Sequence, residues 1–247
     1  KLSILVKGIL LANLIGKLSF ANELPELNID RDRIAVTGLS AGAYMAAQLG
    51  VAHSSIFKGV GVFAGGIYGC ADRRVSNSGQ CAKNPETVNV AKALNLLTLE
   101  EAAGTIDPTE NLRNQRIFLF TGTNDKIVPS ILVHKLKEFY RDLSEANNVI
   151  LRTMPAGHGQ PSIDSGNQCN SSNSPWIFNC GYDGAGAALQ HFFGQLQPRS
   201  HAENRHLRVF DQRSYSDPAA LMADYGSVYI PRACQEGKSC GLLVALH

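Results

Sequence analysis

The chain has 247 residues, 44% of them apolar and 18% charged, with a formal charge of +2. That balance supplies a sizeable core, disfavours disorder, collagen and coiled coil, and suits one α/β domain. No dense Lys/Arg stripe offers nucleic acid an electrostatic footprint, and no apolar run reaches the length of a membrane-spanning helix.

Residues 1–21 have the pattern of a secretory signal peptide. Lys1 and Lys7 give a positive start, Gly8 to Gly16 is apolar, and Ser19 and Ala21 stand at the −3 and −1 positions of a cleavage site. A catalytic domain over 22–247 is then expected. Removing the segment takes three lysines and no acid, leaving 20 basic against 21 acidic residues and a charge of −1. The small positive charge is thus an export feature, not a partner preference.

Beyond it, strand and helix patterns alternate, as in a parallel α/β sheet. RIAVT (33–37) reads as a strand and Ala41 to His53 as an Ala-rich helix. Lys58 to Ala64 is apolar throughout, as expected of a strand buried on both faces. Residues 65–85 read as a Gly/Asn/Ser-rich loop, 88–104 as helix and RIFLFT (116–121) as a third strand. An amphipathic helix over 129–146 and a strand at VILRTM (149–154) follow. Residues 159–181 read as a polar loop and Gly184 to Phe193 as a helix. The stretch from Arg199 to Ala223 reads as a polar connector, and Ser227 to Pro231 and LLVAL (242–246) as two last strands.

Six cysteines fall as three close pairs: Cys70/Cys81, Cys169/Cys180 and Cys234/Cys240. In an oxidising compartment the simplest assignment is three local disulfides, although six cysteines allow 15 connectivities. No CxxC or HxxxH spacing supports zinc, so no metal site is expected.

The sharpest motif is Gly38-Leu39-Ser40-Ala41-Gly42, between a strand and a helix. That is the context of a nucleophile elbow, in which a turn too tight for side chains at the flanking glycines holds the serine hydroxyl above the sheet. The Ala41 backbone N–H then becomes an oxyanion donor. The plain alternative is a serine in an ordinary strand-to-helix turn. A serine hydroxyl needs a base. His53, His134 and His191 fall in predicted helices, His201 and His206 in the polar connector as solvated residues, and His247 ends the chain. His158 differs, standing in Pro155-Ala156-Gly157-His158-Gly159 directly after a strand. Asp125 lies just past the RIFLFT strand, whereas Asp164 and Asp183 follow no strand. Ser40, Asp125, His158 is the chain order of the α/β hydrolases, each residue on its own strand-end loop. No GxxxxGK[ST] or HExxH is present, and the Gly59–Gly66 run reads as strand plus turn. Asn170-Ser171-Ser172 matches a glycosylation acceptor in a eukaryotic secretory host.

The stretches TGLSAGAYMAAQLGVAHSSIFKGVGVFAGGIYGCA, FTGTNDKIVP, AGHG, NCGYDGAGAALQ and YIPRACQEGKSCGLLVALH resemble secreted, single-domain poly(3-hydroxybutyrate) depolymerases from about residue 33 onward. The resemblance implies a circularly permuted α/β-hydrolase fold with the elbow near the N-terminus. It also implies an extracellular serine esterase of polyesters whose nucleophile, acid and base fall on Ser40, Asp125 and His158. In that family the late strand is followed by His-Gly-Cys, which supplies a second oxyanion donor. Here LLVALH ends at His247, so a domain incomplete at its C-terminus is expected, with that donor and further substrate-binding residues lying beyond. The expected protein is secreted (extracellular or periplasmic) and monomeric, needs no cofactor and inserts in no membrane. Its expected substrate is a polyester or its oligomers. A small-ester esterase or lipase, or an inactive hydrolase-like protein, is the alternative.

Overall fold

The computed structural model describes residues 23–71, 77, 79–199, 202–220 and 222–247. The expected signal peptide and His201 lie outside the described residues. The described residues divide into two compact units, one within Ile29–Arg199 and Ser239–His247, the other within 23–28 and 202–238.

The larger unit is built on a five-stranded parallel sheet. Strand β1 (Ile29–Leu39) leads into helix α1 (Ala41–Ala52) and strand β2 (Gly59–Phe63). Short helix α2 (Gln80–Lys83) lies in what the sequence presents as loop, and α3 (Val90–Ala102) follows. Then come β3 (Arg116–Gly122), α4 (Ser130–Tyr140) and β4 (Val149–Met154). The predicted polar loop at 159–181 instead holds a small parallel sheet of β5 (Gln160–Ser162), β6 (Asn167–Gln168) and β7 (Ile177–Asn179), in the order β5-β7-β6. Alternation over two or three residues is too short to show in sequence. Helix α5 (Gly184–Phe193) completes this stretch. The predicted helix at 129–146 stops at Tyr140, and short turns carry the chain to β4.

The other unit holds β8 (Leu207–Asp211), β9 (Tyr225–Tyr229) and α6 (Arg232–Gln235). β8 and β9 form an antiparallel ribbon with Leu207 opposite Tyr229 and Asp211 opposite Tyr225. The predicted polar connector therefore contains a strand, and the strand predicted at 227–231 pairs with it outside the main sheet. His206, expected in solvent, is buried with its ring 5.9 Å from that of Tyr229.

Strand β10 (Cys240–Leu246) returns to the main sheet, whose order is β10-β1-β2-β3-β4. The last strand thus lies parallel beside the first, Val36 level with Val244 and Gly38 with Leu246. The burial of GVGVF and of all but the first residue of RIFLFTG follows from helices covering both faces. Val60, Val62, Ile117 and Leu119 point to the face packed by α1, α3 and α4. Phe63, Phe118 and Phe120 point to the face covered by Ala188 and Phe192 of α5. Gly59 of β2 lies under Phe192, whose ring occupies the space a side chain would need.

Tyr140 ends α4 fully buried, and its hydroxyl has no hydrogen-bond partner among the described residues. Burial pushes its phenol well above the ordinary value. A raised folded-state pKa gives stability that is present below the unfolded value of about 10 and lost as pH rises above it. Urea unfolding midpoints should therefore fall steeply above about pH 10. Tyr140→Phe should flatten that fall while changing stability at pH 7 by no more than about 1 kcal/mol.

Candidate active site

The β1–α1 turn is a tight backbone feature of the larger unit. Ser40 has φ 56° and ψ −123°, a region that a residue with a Cβ rarely occupies and that costs about 1–3 kcal/mol. Neighbouring strand ends hold it there: Ser40 N–H donates to the Phe63 carbonyl at 3.1 Å, and Ala64 N–H to the Phe120 carbonyl at 3.0 Å. The Ser40 carbonyl receives the first helical bonds from Ala43 and Tyr44. Its hydroxyl makes no capping bond to the helix, so the side chain is not turned inward. The Ala41 N–H precedes these first helical bonds and sits at the positive end of the helix dipole.

Both flanking glycines are sterically required. A Cβ on Gly38 would collide with the backbone of Gly42 and Ala43, and one on Gly42 with the Leu246 carbonyl and His247 nitrogen at the end of β10. The end of the last strand therefore lies directly against the turn.

Asp125 stands three residues after β3. Thr123 N–H donates to the Met154 carbonyl and Asn124 N–H to the Ala156 carbonyl, which ties the loops after β3 and β4 together. Oδ1 of Asp125 accepts from Ile127 and Val128 N–H, each at 2.8 Å. Oδ2 faces Nδ1 of His158 at 2.8 Å. With a carboxylate that only accepts, Nδ1 carries the proton and Nε2 is left as the acceptor. Both side chains are buried, to 0% and 4% exposure, so the pair is shielded from water and salt. The structure thus brings Asp125 and His158 into contact and places Ser40 at the same carboxyl-terminal edge of the sheet.

An elongated cavity of about 660 Å³ opens at Ser40. Ala41, Met45, Gln48 and Ala52 all line it, a spacing of one helical face, so it runs along α1 for roughly 16 Å. Leu96, Ile127 and Val128 make the opposite side largely apolar, and Gln48, Tyr68 and Glu100 add polar groups. Tyr44 shares this wall. Burial first, and the Asp125 charge second, push its phenol well above the ordinary range, so it stays neutral. Tyr44 was legible only as the residue one helical turn after Ser40. The amides that fix Asp125 carry no side-chain signal at all.

All six cysteines are disulfide-bonded. The bonds Cys70–Cys81 and Cys169–Cys180 are those of the nearest-neighbour assignment. Among the described residues, no helix is long and apolar enough to cross a membrane.

Residues 19–180 match the model of the prolyl oligopeptidase family, a group of serine hydrolases on the α/β-hydrolase fold. The chain is 36% identical over 240 residues to a poly(3-hydroxybutyrate) depolymerase of Delftia acidovorans, covering 94% of this chain and 48% of that protein. It is 36% identical over 233 residues to the polyhydroxybutyrate depolymerase of Talaromyces funiculosus, covering 92% and 68%. The chain belongs to the poly(3-hydroxybutyrate) depolymerase family. Two solved structures agree. One is a PHB depolymerase complexed with an R3HB trimer (TM-score 0.81) and the other the PHB depolymerase of Penicillium funiculosum (TM-score 0.80). Both are 35% identical, with 90% of this chain and 70% of theirs aligned. The fold is that of the α/β hydrolases. The chain spans about half the length of the Delftia relative and about two thirds of the fungal one.

Because Gly42 has no room for a methyl group, Gly42→Ala should force the end of β10 away from the turn. A loss of about 1–3 kcal/mol in denaturant unfolding is expected. Unchanged stability would contradict the packing described.

Proposed function

We propose that this protein is a secreted serine esterase that hydrolyses ester bonds of poly(3-hydroxybutyrate) or its oligomers. The observation that carries the reading is the buried Asp125–His158 bond of 2.8 Å, at the sheet edge where the strained turn presents Ser40.

The chemistry follows from the protonation pattern. Nε2 of His158 takes the Ser40 proton as Oγ attacks an ester carbonyl, and Asp125 stabilises the imidazolium that forms. The Ala41 N–H meets the developing oxyanion, aided by the helix dipole. One such donor is worth about 10²–10³ in turnover. The end of β10, with Leu246 and His247 against Gly42, lies beside that donor. His158 then gives its proton to the leaving alcohol, and water, activated the same way, releases the acyl group. Tyr44 beside this centre adds a neutral phenol and no charge.

An apolar trough along α1 suits an extended aliphatic polyester chain better than a compact polar substrate. The depolymerase relatives, and the R3HB trimer in one of the solved structures, favour the same substrate. Disulfides fit an oxidising, exported setting, and among those settings the extracellular one matches a solid polymer substrate.

Release of 3-hydroxybutyrate from polymer and trimer, set beside hydrolysis of a short soluble butyrate ester, tests the reading. Polymer and trimer should both be cut, and Ser40→Ala should abolish all three activities. Cleavage of the short ester alone would replace the polyester reading with that of a small-ester esterase. Asp125→Asn keeps the shape but removes the acceptor that sets the histidine tautomer. It should lower turnover by about 10³–10⁴ with an unchanged circular-dichroism spectrum.

A further inference from the structure

The histidine segment is gripped from outside the sheet by a single loop. Gly157 N–H donates to the Cys169 carbonyl at 2.8 Å, and Gln160 N–H to the Trp176 carbonyl at 2.8 Å. Between them, His158 N–H donates to Oγ of Ser172 at 2.9 Å. The Ser171 carbonyl presses on Gly157 so closely that no Cβ would fit there. The Trp176 ring meets the His158 ring at 80°, with centroids 5.9 Å apart. The loop is itself braced by the Cys169–Cys180 bond, by Ser171 N–H on the Gln168 carbonyl at 3.0 Å and by the Asn167 amide on the Ser174 carbonyl at 2.9 Å.

We propose that Ser172, held by the disulfide-closed loop Cys169–Cys180, is the positioning residue of the catalytic base. The inference rests on the Ser40–His158–Asp125 reading and adds to it what sets the reach of the base. Two hydrogen bonds on His158 itself orient it, Nδ1 on Asp125 and the backbone N–H on Ser172, beside the Trp176 ring. With only the first, the imidazole keeps its carboxylate but pivots about it, and Nε2 moves relative to Ser40. A displacement near 1 Å costs on the order of 10²-fold in rate. Of the three amide bonds onto the segment, the one at His158 alone ends on a side chain. Removing one oxygen atom therefore tests the device, and leaves a buried amide without its partner. Loop closure joins residues only 11 apart, so the brace is local and can be opened without disconnecting the sheet.

The test is the rate at which Ser40 is labelled by a p-nitrophenyl phosphonate. Oγ bonds to phosphorus, p-nitrophenolate leaves, and the serine proton passes to His158. This readout needs the triad but not a polyester substrate. Ser172→Ala should slow labelling about 10-fold or more at 25 °C, well below its melting temperature, and Ser172→Thr should return it to within about threefold of wild type. Hydrolysis of the short ester should show the loss in kcat with KM little changed. Labelling by Ser172→Ala at the wild-type rate would overturn the proposal, since a merely structural contact lowers the melting temperature without slowing the folded enzyme. If Ser172→Ala does not fold, the Cys169→Ser/Cys180→Ser double variant decides: slowed labelling supports the clamp, and wild-type labelling overturns it. A wild-type protein that never labels removes the triad reading and this inference together. Intact labelling without polyester hydrolysis removes only the substrate assignment.

Discussion

Close approach of three backbones at the β1–α1 turn is the constraint on which the site depends. Gly38 packs on Gly42, and Gly42 on the carbonyl of Leu246, so strand β1, helix α1 and strand β10 meet with no side chain between them. That contact aims the N-terminus of α1 along the carboxyl edge of the sheet and forces a positive φ on Ser40. The strain, about 1–3 kcal/mol, is sustained because backbone bonds from Ser40 and Ala64 to the Phe63 and Phe120 carbonyls tie successive strand ends together. Ala43, Ala46, Ala47 and Gly50 on the buried face of α1 let the helix lie close to the sheet, which keeps the turn short.

The same parallel register places the other two groups. β1 to β4 are in sequence order across the sheet, so loops after β1, β3 and β4 emerge on one edge, with neighbouring strands about 4.8 Å apart. The β3 and β4 loops are then bonded to each other before any side chain is considered, through Asn124 and Ala156. Asp125 spends one oxygen on two backbone amides and the other on His158. An immobilised carboxylate of this kind fixes the imidazole tautomer without needing rearrangement during the reaction.

Burial gives the arrangement its electrostatic character. Asp125 and His158 are out of water, and the adjacent Tyr44 is held neutral by burial and by the Asp125 charge. The largely apolar trough along α1 leads away from Ser40. On the opposite side of the histidine, a covalently closed loop packs against the segment. His158 is thus held between a rigid sheet edge and a braced loop.

Much of this was legible in the chain. Alternating apolar runs gave the parallel strands and their covering helices, since burial on both faces leaves little freedom in residue type. The Gly38–Gly42 motif announced its turn, and position after a strand of the main sheet singled out Asp125 and His158, although Asp164 and Asp183, read as following no strand, in fact follow the short strands β5 and β7. Local pairing gave the disulfides Cys70–Cys81 and Cys169–Cys180 because their loops are short. The rest depended on contacts that leave no local trace. The small sheet of β5, β6 and β7 has strands of two or three residues, too short for alternation to register. β8 hid in a polar stretch because a two-stranded ribbon with exposed tyrosines needs little apolar sequence. His206 is polar in type yet packed against Tyr229. Residue types and their order thus pointed to Ser40, Asp125 and His158 as the candidate groups. Only tertiary structure decided how they are held, because Ser172 on the His158 amide, two backbone amides on Asp125 and the β10 carbonyl on Gly42 are contacts between segments or through backbone, where side-chain identity carries no signal.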